Sequence, residues 1–277
     1  MNRALPALLL MTACLSAPAC TPTYPKEKLE LSIRELFKKE VQTEDVRVRV
    51  AGKTLYVSFQ IDNMVSATLD LPKEVTERLE NAMLSLTRVA MSTDEKIDFI
   101  VLDARDDAWG VQTTFIRRTE DLRFLYYMTI SKGDFDERFI LETRRFDPKT
   151  ELPEDGWTGL TLQEYMGRWV AFRLGLGAQT NPFTAALLGV KRVTSAYDAA
   201  KQTVTLTLES DEDEDSETGT KLRAQFLKDA ALEQMKKVES KYLSRLPSKE
   251  GWAQTLDVRD EKGGTLFTAL RDEWLKK

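Results

Sequence analysis

Two hydrophobic periodicities alternate along this chain, and their alternation limits the possible folds more than any other feature. Apolar residues recur every three to four positions in 26–41, 72–89, 162–170 and 222–246, which predicts four amphipathic helices. After each helix, two short strand-like segments flank a turn, which predicts a β-hairpin. We therefore expect an α+β fold in which repeated helix–β-hairpin units form antiparallel sheets covered by helices.

The four units can be grouped into two halves. Three return strands open with similar residues: Gly52-Lys53-Thr54-Leu55, Lys201-Gln202-Thr203-Val204 and Gly263-Gly264-Thr265-Leu266. Turn chemistry and β-propensity alone favour such residues, and their spacing is irregular, so two αββαββ halves stay an alternative to an unrepeated fold. We place the first α+β half at 26–150 and the second at 160–277.

The stretch from Thr119 to Gly159 interrupts the pattern. A helix is predicted around Leu122 to Ile130, the segment from Phe135 to Phe146 fits neither periodicity, and a loop with Pro and Gly follows. The boundary between the halves is therefore expected in this loop.

The first nineteen residues have the three parts of a secretory signal. Met1-Asn2-Arg3 carries a positive charge, residues 4–15 are apolar, and small residues precede Cys20. The apolar run is too short for a transmembrane helix, which needs about 20 apolar residues. We expect residues 1–19 to be a signal peptide and residues 20–25 a short extended tether.

Both cysteines of the chain lie in this N-terminal region, so we expect a mature body without disulfides. The sequence Ala17-Pro18-Ala19-Cys20 resembles a bacterial lipoprotein signal, and lipidation of Cys20 would attach the protein to a membrane. Two alternatives stay open. Cys14 is a second candidate for lipidation, and cleavage after Ala19 at an ordinary Ala-x-Ala site would release a soluble protein.

The start of the mature chain carries a wider resemblance. Cys20-Thr21-Pro22-Thr23-Tyr24-Pro25-Lys26-Glu27-Lys28-Leu29 and Val48-Arg49-Val50-Ala51-Gly52-Lys53-Thr54-Leu55 resemble a group of uncharacterised bacterial envelope lipoproteins. The group has no established activity. The resemblance therefore implies a lipid-anchored protein of the cell envelope, facing the periplasm or the exterior, and implies no particular chemistry.

The composition excludes several common catalytic sites. The chain has no histidine and therefore no Ser-His-Asp triad, Cys-His dyad or His-ligated metal. Three glycine-rich or acidic segments also fail as motifs: Gly52-Lys53-Thr54 is typical of a hairpin turn, residues 211–215 of an exposed acidic loop, and Gly175-Leu176-Gly177 of a helix C-cap. We predict no catalytic residue, no cofactor and no metal ligand.

Two features bear on partners. The formal net charge of −5 argues against a nucleic-acid partner. The stretch 174–190 is nearly uncharged and rich in small apolar residues, so it is either a buried loop and short helix or a patch that meets a protein partner, an apolar ligand or the membrane surface. Trp157, Trp169, Trp252, Tyr126, Tyr127 and Tyr165 are core residues or the lining of a pocket.

Three functions follow from these observations. The leading hypothesis is a non-enzymatic, lipid-anchored scaffold, assembly factor or binding module. The second is a carrier of an apolar ligand such as lipid, with a cavity between sheet and helices. The third is a histidine-independent envelope hydrolase, which requires a cleft where two carboxylates face each other and one is poorly solvated. The candidate acid clusters are Asp103, Asp106, Asp107 and Asp134, Asp136, Glu137, although turn residues and a solvated face also account for them.

Overall fold

The computed structural model describes residues 22–64, 72–152, 156–180, 185, 188–210, 217–243 and 252–276. The helices are α1 (Leu29–Leu36), α2 (Lys73–Ser92), α3 (Thr119–Tyr126), α4 (Lys132–Asp136), α5 (Leu162–Thr180), α6 (Glu217–Lys241) and α7 (Arg271–Lys276). A 3₁₀ turn (Lys26–Lys28) precedes α1 and a π-helical turn (Phe37–Val41) follows it. The strands are β1 (Val46–Ala51), β2 (Thr54–Gln60), β3 (Phe99–Asp106), β4 (Val111–Arg118), β5 (Ile140–Arg145), β6 (Val190–Asp198), β7 (Thr203–Ser210), β8 (Thr255–Asp260) and β9 (Thr265–Leu270).

These elements confirm the α+β class and the four helix–hairpin units. The first sheet has the strand order β1-β2-β3-β4-β5 and the second has the order β6-β7-β8-β9. Within each hairpin the strands are antiparallel, as expected, but the hairpins join through the parallel pairs β2–β3 and β7–β8, so both sheets are mixed. The reason is that α2 and α6 carry the chain back to the end of the sheet where the preceding strand began.

The two parallel pairs begin in the same way. The carbonyl oxygen of Lys53 accepts hydrogen bonds from the amides of Asp98 (2.8 Å) and Phe99 (3.2 Å). In the second half, the carbonyl oxygen of Gln202 accepts hydrogen bonds from the amides of two consecutive residues in the same way, Gln254 (2.7 Å) and Thr255 (3.3 Å). The similarity between the segments that contain Lys53 and Gln202 therefore marks equivalent positions.

The end of the second hairpin is also repeated. The amide of Thr119 donates to the Asp98 carbonyl and the amide of Arg271 donates to the Gln254 carbonyl, both at 2.9 Å. A helix begins at that residue in each half: α3 at Thr119 and α7 at Arg271. The described residues therefore contain two αββαββ units, each followed by a short helix.

Four layers result from the way the units stack. One face of the first sheet, including Leu55, Val57 and Phe59, packs under α1 and α2. Its opposite face, including Tyr56 and Val101, joins a core cluster with residues of α5, α6 and the second sheet. Helix α5 thus contacts both sheets, α6 reaches the first half at Glu137 and Arg138, and the two halves share a core. The outer face of the second sheet is not covered by any element among the described residues.

The interruption between the halves contains elements that the sequence pattern assigns poorly. Helix α3 begins and ends about four residues before the predicted helix, and the segment without a clear periodicity forms α4 and β5. The loop that follows is part of the core, since Trp157 and Leu160 are buried. The expected C-cap at Gly175 is wrong, because α5 continues to Thr180; Gly175 lies against Val193 of β6 instead.

Candidate ligand-binding cavity

A cavity of about 490 Å³ lies at the end of the first sheet where β2 and β3 begin. Its walls come from four segments: the β1–β2 turn, the residues that lead into β3, the end of β4 with the first turn of α3, and the loop that leads into α5. The first three belong to the first half and the last belongs to the second half. The cavity, which we call the basal cavity, therefore exists only because the halves pack together.

One wall of the basal cavity depends on a close approach between two glycines. Gly52 has a φ of +59° in the β1–β2 turn, and a Cβ placed there would lie 3.3 Å from the Cα of Gly159. Side chains are disfavoured at such a φ, and the contact is tighter than ordinary van der Waals distance. A larger residue at Gly52 would push the turn away from the loop that leads into α5.

Hydrogen bonds and an aromatic stack hold that loop on the sheet. The amide of Leu160 donates to the buried hydroxyl of Thr54 at 2.9 Å, and the Tyr56 hydroxyl donates to the Thr158 carbonyl at 2.6 Å. The rings of Tyr56 and Trp157 stack with centroids 5.2 Å apart. The wall is thus fixed by contacts that join residues more than a hundred positions apart in sequence.

The amino end of α5 forms another part of the cavity. Thr161 and Glu164 make a capping box: the Glu164 carboxylate accepts from the Thr161 amide at 2.8 Å, and the Thr161 hydroxyl accepts from the Glu164 amide at 3.2 Å. The first-turn amides of Leu162 and Gln163 have no acceptor within the helix. The positive end of the helix dipole therefore lies beside the cavity.

The charges at the rim of the cavity are paired. Lys53 lies 3.5 Å from Asp98, and Arg123 lies 3.4 Å from Glu120. All four side chains are at least one-third exposed, so these pairs contribute little to stability. They leave the rim close to neutral.

Arg118 is the charged residue inside the cavity. Its side chain is 12% exposed, and its closest carboxylate, Asp121, is 4.0 Å away. The same oxygen of Asp121 lies 2.8 Å from Arg138, which is a much better ion pair. Within the described residues the Arg118 guanidinium makes no hydrogen bond. Two arginines therefore share one carboxylate, and the excess of positive charge in this partly dehydrated place favours the binding of an anion.

The first described residues pair with the segment that leads to this cavity. The Tyr24 amide donates to the Ser92 carbonyl at 3.3 Å, and the Lys26 amide donates to Asp94 at 2.7 Å. The chain then runs from Asp94 to Ile97, which lines the cavity. A chain extends at most about 3.6 Å per residue, so the four residues from Cys20 to Tyr24 can span at most about 14 Å. Cys20 itself lies outside the described residues, and so does Cys14.

The acid clusters named from the sequence have local structural roles. Asp106 accepts hydrogen bonds from the amides of Ala108 and Trp109 in the β3–β4 turn. Asp134 accepts a hydrogen bond from the Ser131 hydroxyl at the start of α4, and Glu137 forms an ion pair with Lys241 of α6. These contacts close turns and join helices. They agree with the alternative explanation of the acid clusters, in which the acids are turn and surface residues.

Asp103 and Glu142 are the two carboxyl groups that come nearest to the hydrolase hypothesis. Both lie opposite Thr114 in one row across β3, β4 and β5, and burial raises the pKa of each. Hydrogen bonds from the Thr114 hydroxyl (2.5 Å) and the Trp157 indole (3.3 Å) lower the pKa of Asp103 and so oppose the effect of burial. The positive charges of Arg168 and Arg192 oppose the effect of burial on the pKa of Glu142. Asp103 therefore holds the Trp157 loop on the sheet, which is a structural task.

The apolar stretch 174–190 is only partly described. Leu174, Ala178, Leu188 and Val190 are buried in the core, and Leu176 is exposed. Residues 181–184, 186 and 187 lie outside the described residues, as do the acidic residues 211–215. A partner contact at 174–190 stays a prediction.

The aromatic residues divide between core and surface. Trp157, Trp169, Trp252 and Tyr165 are buried, so the core assignment is confirmed for them. Tyr126 and Tyr127 at the end of α3 are 76% and 70% exposed. None of these six residues lines the basal cavity, whose aromatic residue, Phe99, was not singled out by the sequence.

The cavity residues could not be found from the sequence alone. Arg118, Arg123 and Lys53 are three of 40 basic residues and come from different segments. The one signal in the sequence was the capping box at Thr161, which marks the amino end of a helix and therefore a potential anion site.

No cluster of acidic side chains among the described residues is arranged to hold a metal ion. No helix in the same part of the chain combines the length and apolarity needed to cross a bilayer. In comparisons with known proteins, no family model, curated protein or solved structure matches the chain.

Proposed function

We propose that this protein is lipid-anchored in the bacterial cell envelope through Cys20 and acts as a non-enzymatic binding module, with the basal cavity as its ligand site. The sequence supports the anchor through the signal segment, the cysteine that follows small residues, and the resemblance of residues 20–55 to envelope lipoproteins. The lack of histidine and the structural tasks of the acid clusters favour binding over catalysis.

The observation that carries the proposal is the path of the chain after Cys20. Residues 20–25 were expected to form a short extended tether. Tyr24 pairs with Thr93 at the end of α2, and the side chain of Lys26 lies 2.7 Å from Glu95, so Tyr24 is already part of the folded body. An anchor at Cys20 would hold this end of the body, and with it the basal cavity, close to the membrane.

Lipidation can be tested by labelling cells with an alkyne analogue of palmitate and separating membrane from soluble fractions. We expect the wild-type chain and Cys14→Ser to carry label in the membrane fraction, and Cys20→Ser to carry none. Label that disappears in Cys14→Ser and persists in Cys20→Ser would move the anchor to Cys14. An unlabelled wild-type protein in the soluble fraction would support simple secretion and contradict the anchor.

A second candidate function, a carrier of apolar ligands, is favoured by the size of the basal cavity and by its apolar floor of Ile97, Phe99 and Leu160. It predicts a ligand without a required charge. The two functions therefore differ in what Arg118 does, and the experiment of the next section separates them.

A further inference from the structure

We propose that the basal cavity binds the phosphate group of an amphiphile, such as a phospholipid or another phosphate bearing an apolar group. This proposal rests on the proposed function, because it takes the cavity as the ligand site. The phosphate lies at Arg118 and at the amino end of α5, and the apolar part of the ligand lies on Phe99 and Leu160.

The sign of the ligand charge follows from the groups in the interior of the cavity. Arg118 and Arg138 share one carboxylate oxygen of Asp121, at 4.0 and 2.8 Å, so these three side chains together carry one net positive charge. The rim acids Asp98 and Glu120 pair with Lys53 and Arg123. An incoming anion would therefore meet a net positive charge inside and a nearly neutral rim, which favours binding of negative charge.

Hydrogen-bond donors favour phosphate among the possible anions. The arginine guanidinium presents a planar pair of donors that matches two phosphate oxygens. The first turn of α5, a helix of 19 residues, adds amide donors at its positive end. Thr119 lines the cavity, and its hydroxyl is buried without a hydrogen-bond partner among the described residues. Phosphate offers several acceptor oxygens to groups that have no other partner.

The remaining surface of the cavity indicates an apolar group on the ligand. Ile97, Phe99 and Leu160 are at most 8% exposed and line the same cavity as Arg118. A volume of about 490 Å³ is larger than a phosphate group needs and falls within the range of ordinary small-molecule sites. A lipid on Cys20 would be joined to Tyr24 by at most about 14 Å of chain, so an anchored protein would hold this end of its body close to the phospholipids of the membrane.

Three probes separate the two parts of this ligand. Inorganic phosphate supplies the charge without the apolar group, dioctanoylglycerol supplies the chains without the phosphate, and dioctanoyl phosphatidylglycerol supplies both. Each is titrated against the mature lipidated protein in a nonionic detergent, and bound ligand is measured by native mass spectrometry. We expect phosphatidylglycerol to bind at least about tenfold more tightly than either other probe, since a hydrogen bond to a charged group contributes roughly 1.5–3 kcal/mol.

Two variants test the assignment of Arg118 and Thr119. Arg118→Gln should weaken phosphatidylglycerol binding at least about tenfold and leave dioctanoylglycerol binding unchanged. Thr119→Val replaces the unpaired hydroxyl with a methyl group of similar volume, so it should weaken phosphatidylglycerol binding without lowering the thermal midpoint. Arg145→Gln on the exposed surface of β5 is the matched control and should bind as the wild type does.

The outcomes distinguish this proposal from the function on which it rests. If dioctanoylglycerol binds as tightly as phosphatidylglycerol and Arg118→Gln changes neither affinity, the phosphate assignment is wrong and the cavity is an apolar-ligand site. If inorganic phosphate binds as tightly as phosphatidylglycerol, the ligand is a free phosphate and the amphiphile is wrong. If none of the probes binds, both this proposal and the cavity as a ligand site are wrong, while the lipid anchor is judged by its own labelling test.

Discussion

In both halves of the molecule, two helices cover the same face of a four-stranded unit. The opposite face is buried in the first half and exposed in the second. In the first half that opposite face, with Tyr56 and Val101, lies in the interior because the second half packs on it. In the second half the equivalent face carries Thr207 and Thr194 at the surface. The comparison teaches that burial here depends on the order of stacking as well as on topology.

The stacking also buries polar groups of the first sheet. Asp103 and Glu142 lie in one row on the face that the second half covers, and burial raises the pKa of each. Carboxyls at the surface behave differently, since hydrogen bonds lower the pKa values of Asp198 and Glu273. A sheet covered on both faces must enclose some of its polar residues, whereas a surface turn leaves them hydrated.

The largest expected effect concerns the layer between the two sheets. Trp169 of α5 is fully buried, and its indole donates to the Glu137 carbonyl of the first half at 2.8 Å. Trp169→Ala should lower the free energy of unfolding by about 3–5 kcal/mol, because it leaves a large cavity. Urea unfolding followed by circular dichroism measures this loss. The control, Trp109→Ala at a 65% exposed position, should change it by less than about 0.5 kcal/mol.

The same experiment tests whether the halves unfold together. Because they share a core, the wild type and Trp169→Ala should each show one transition. Two separated transitions in the wild type, of which Trp169→Ala moves only one, would contradict the shared core.

The second prediction compares a buried ion pair in each half. Asp121 lies 2.8 Å from Arg138, and both side chains are almost completely buried; Glu239 of α6 accepts two bonds from Arg271 (2.8 and 3.0 Å), whose side chain is 20% exposed. Asp121→Asn should cost about 2–3 kcal/mol of unfolding free energy, since it leaves the Arg138 charge unpaired away from water. Glu239→Gln should cost about 1 kcal/mol, because water can reach Arg271. Equal losses would show that the burial difference has no energetic consequence.

The third prediction concerns pH and has opposite signs at a buried carboxyl, Asp103, and an exposed one, Asp198. Burial raises the folded-state pKa of Asp103 above its usual value of 3.8, so its carboxyl contributes stability that is fully present below the unfolded pKa and is lost as the pH rises through the folded pKa. Hydrogen bonds from the Lys201 and Ala200 amides lower the pKa of Asp198, so its contribution is present above the unfolded pKa and is lost as the pH falls through the folded pKa.

Denaturant unfolding of Asp103→Asn and Asp198→Asn between pH 3 and pH 8 measures these contributions. The stability lost in Asp103→Asn should be larger at low pH than at pH 7, and the loss in Asp198→Asn should be larger at pH 7. A loss in Asp103→Asn that grows as the pH rises would mean that the donors of Thr114, Gln112 and Trp157 outweigh burial at this carboxyl.

How much of this could be predicted from the sequence differs between elements. The periodicity of Leu29, Ile33 and Phe37 and the alternation in β1 give helices and hairpins, because each reports burial on one face of one element. Periodicity does not report which neighbour covers that face. It therefore could not predict the parallel pairing of β2 with β3 or the stacking of α5 on the first sheet. The basal cavity depends on that stacking, and Arg118 therefore had no signal of its own.

The smallest expected effects test the equivalence of the open and the covered sheet faces. Ser58 pairs with Arg47 across β1 and β2, and Thr207 pairs with Thr194 at the corresponding place in the second sheet. Ser58→Val adds volume where the side chain is 2% exposed, so it should destabilise the fold by about 1–2 kcal/mol. Thr207→Val replaces one β-branched side chain with another on an uncovered face and should change the free energy of unfolding by less than about 0.5 kcal/mol. A loss at Thr207 as large as that at Ser58 would mean that another molecule or segment covers this face in solution, as the second half covers the first.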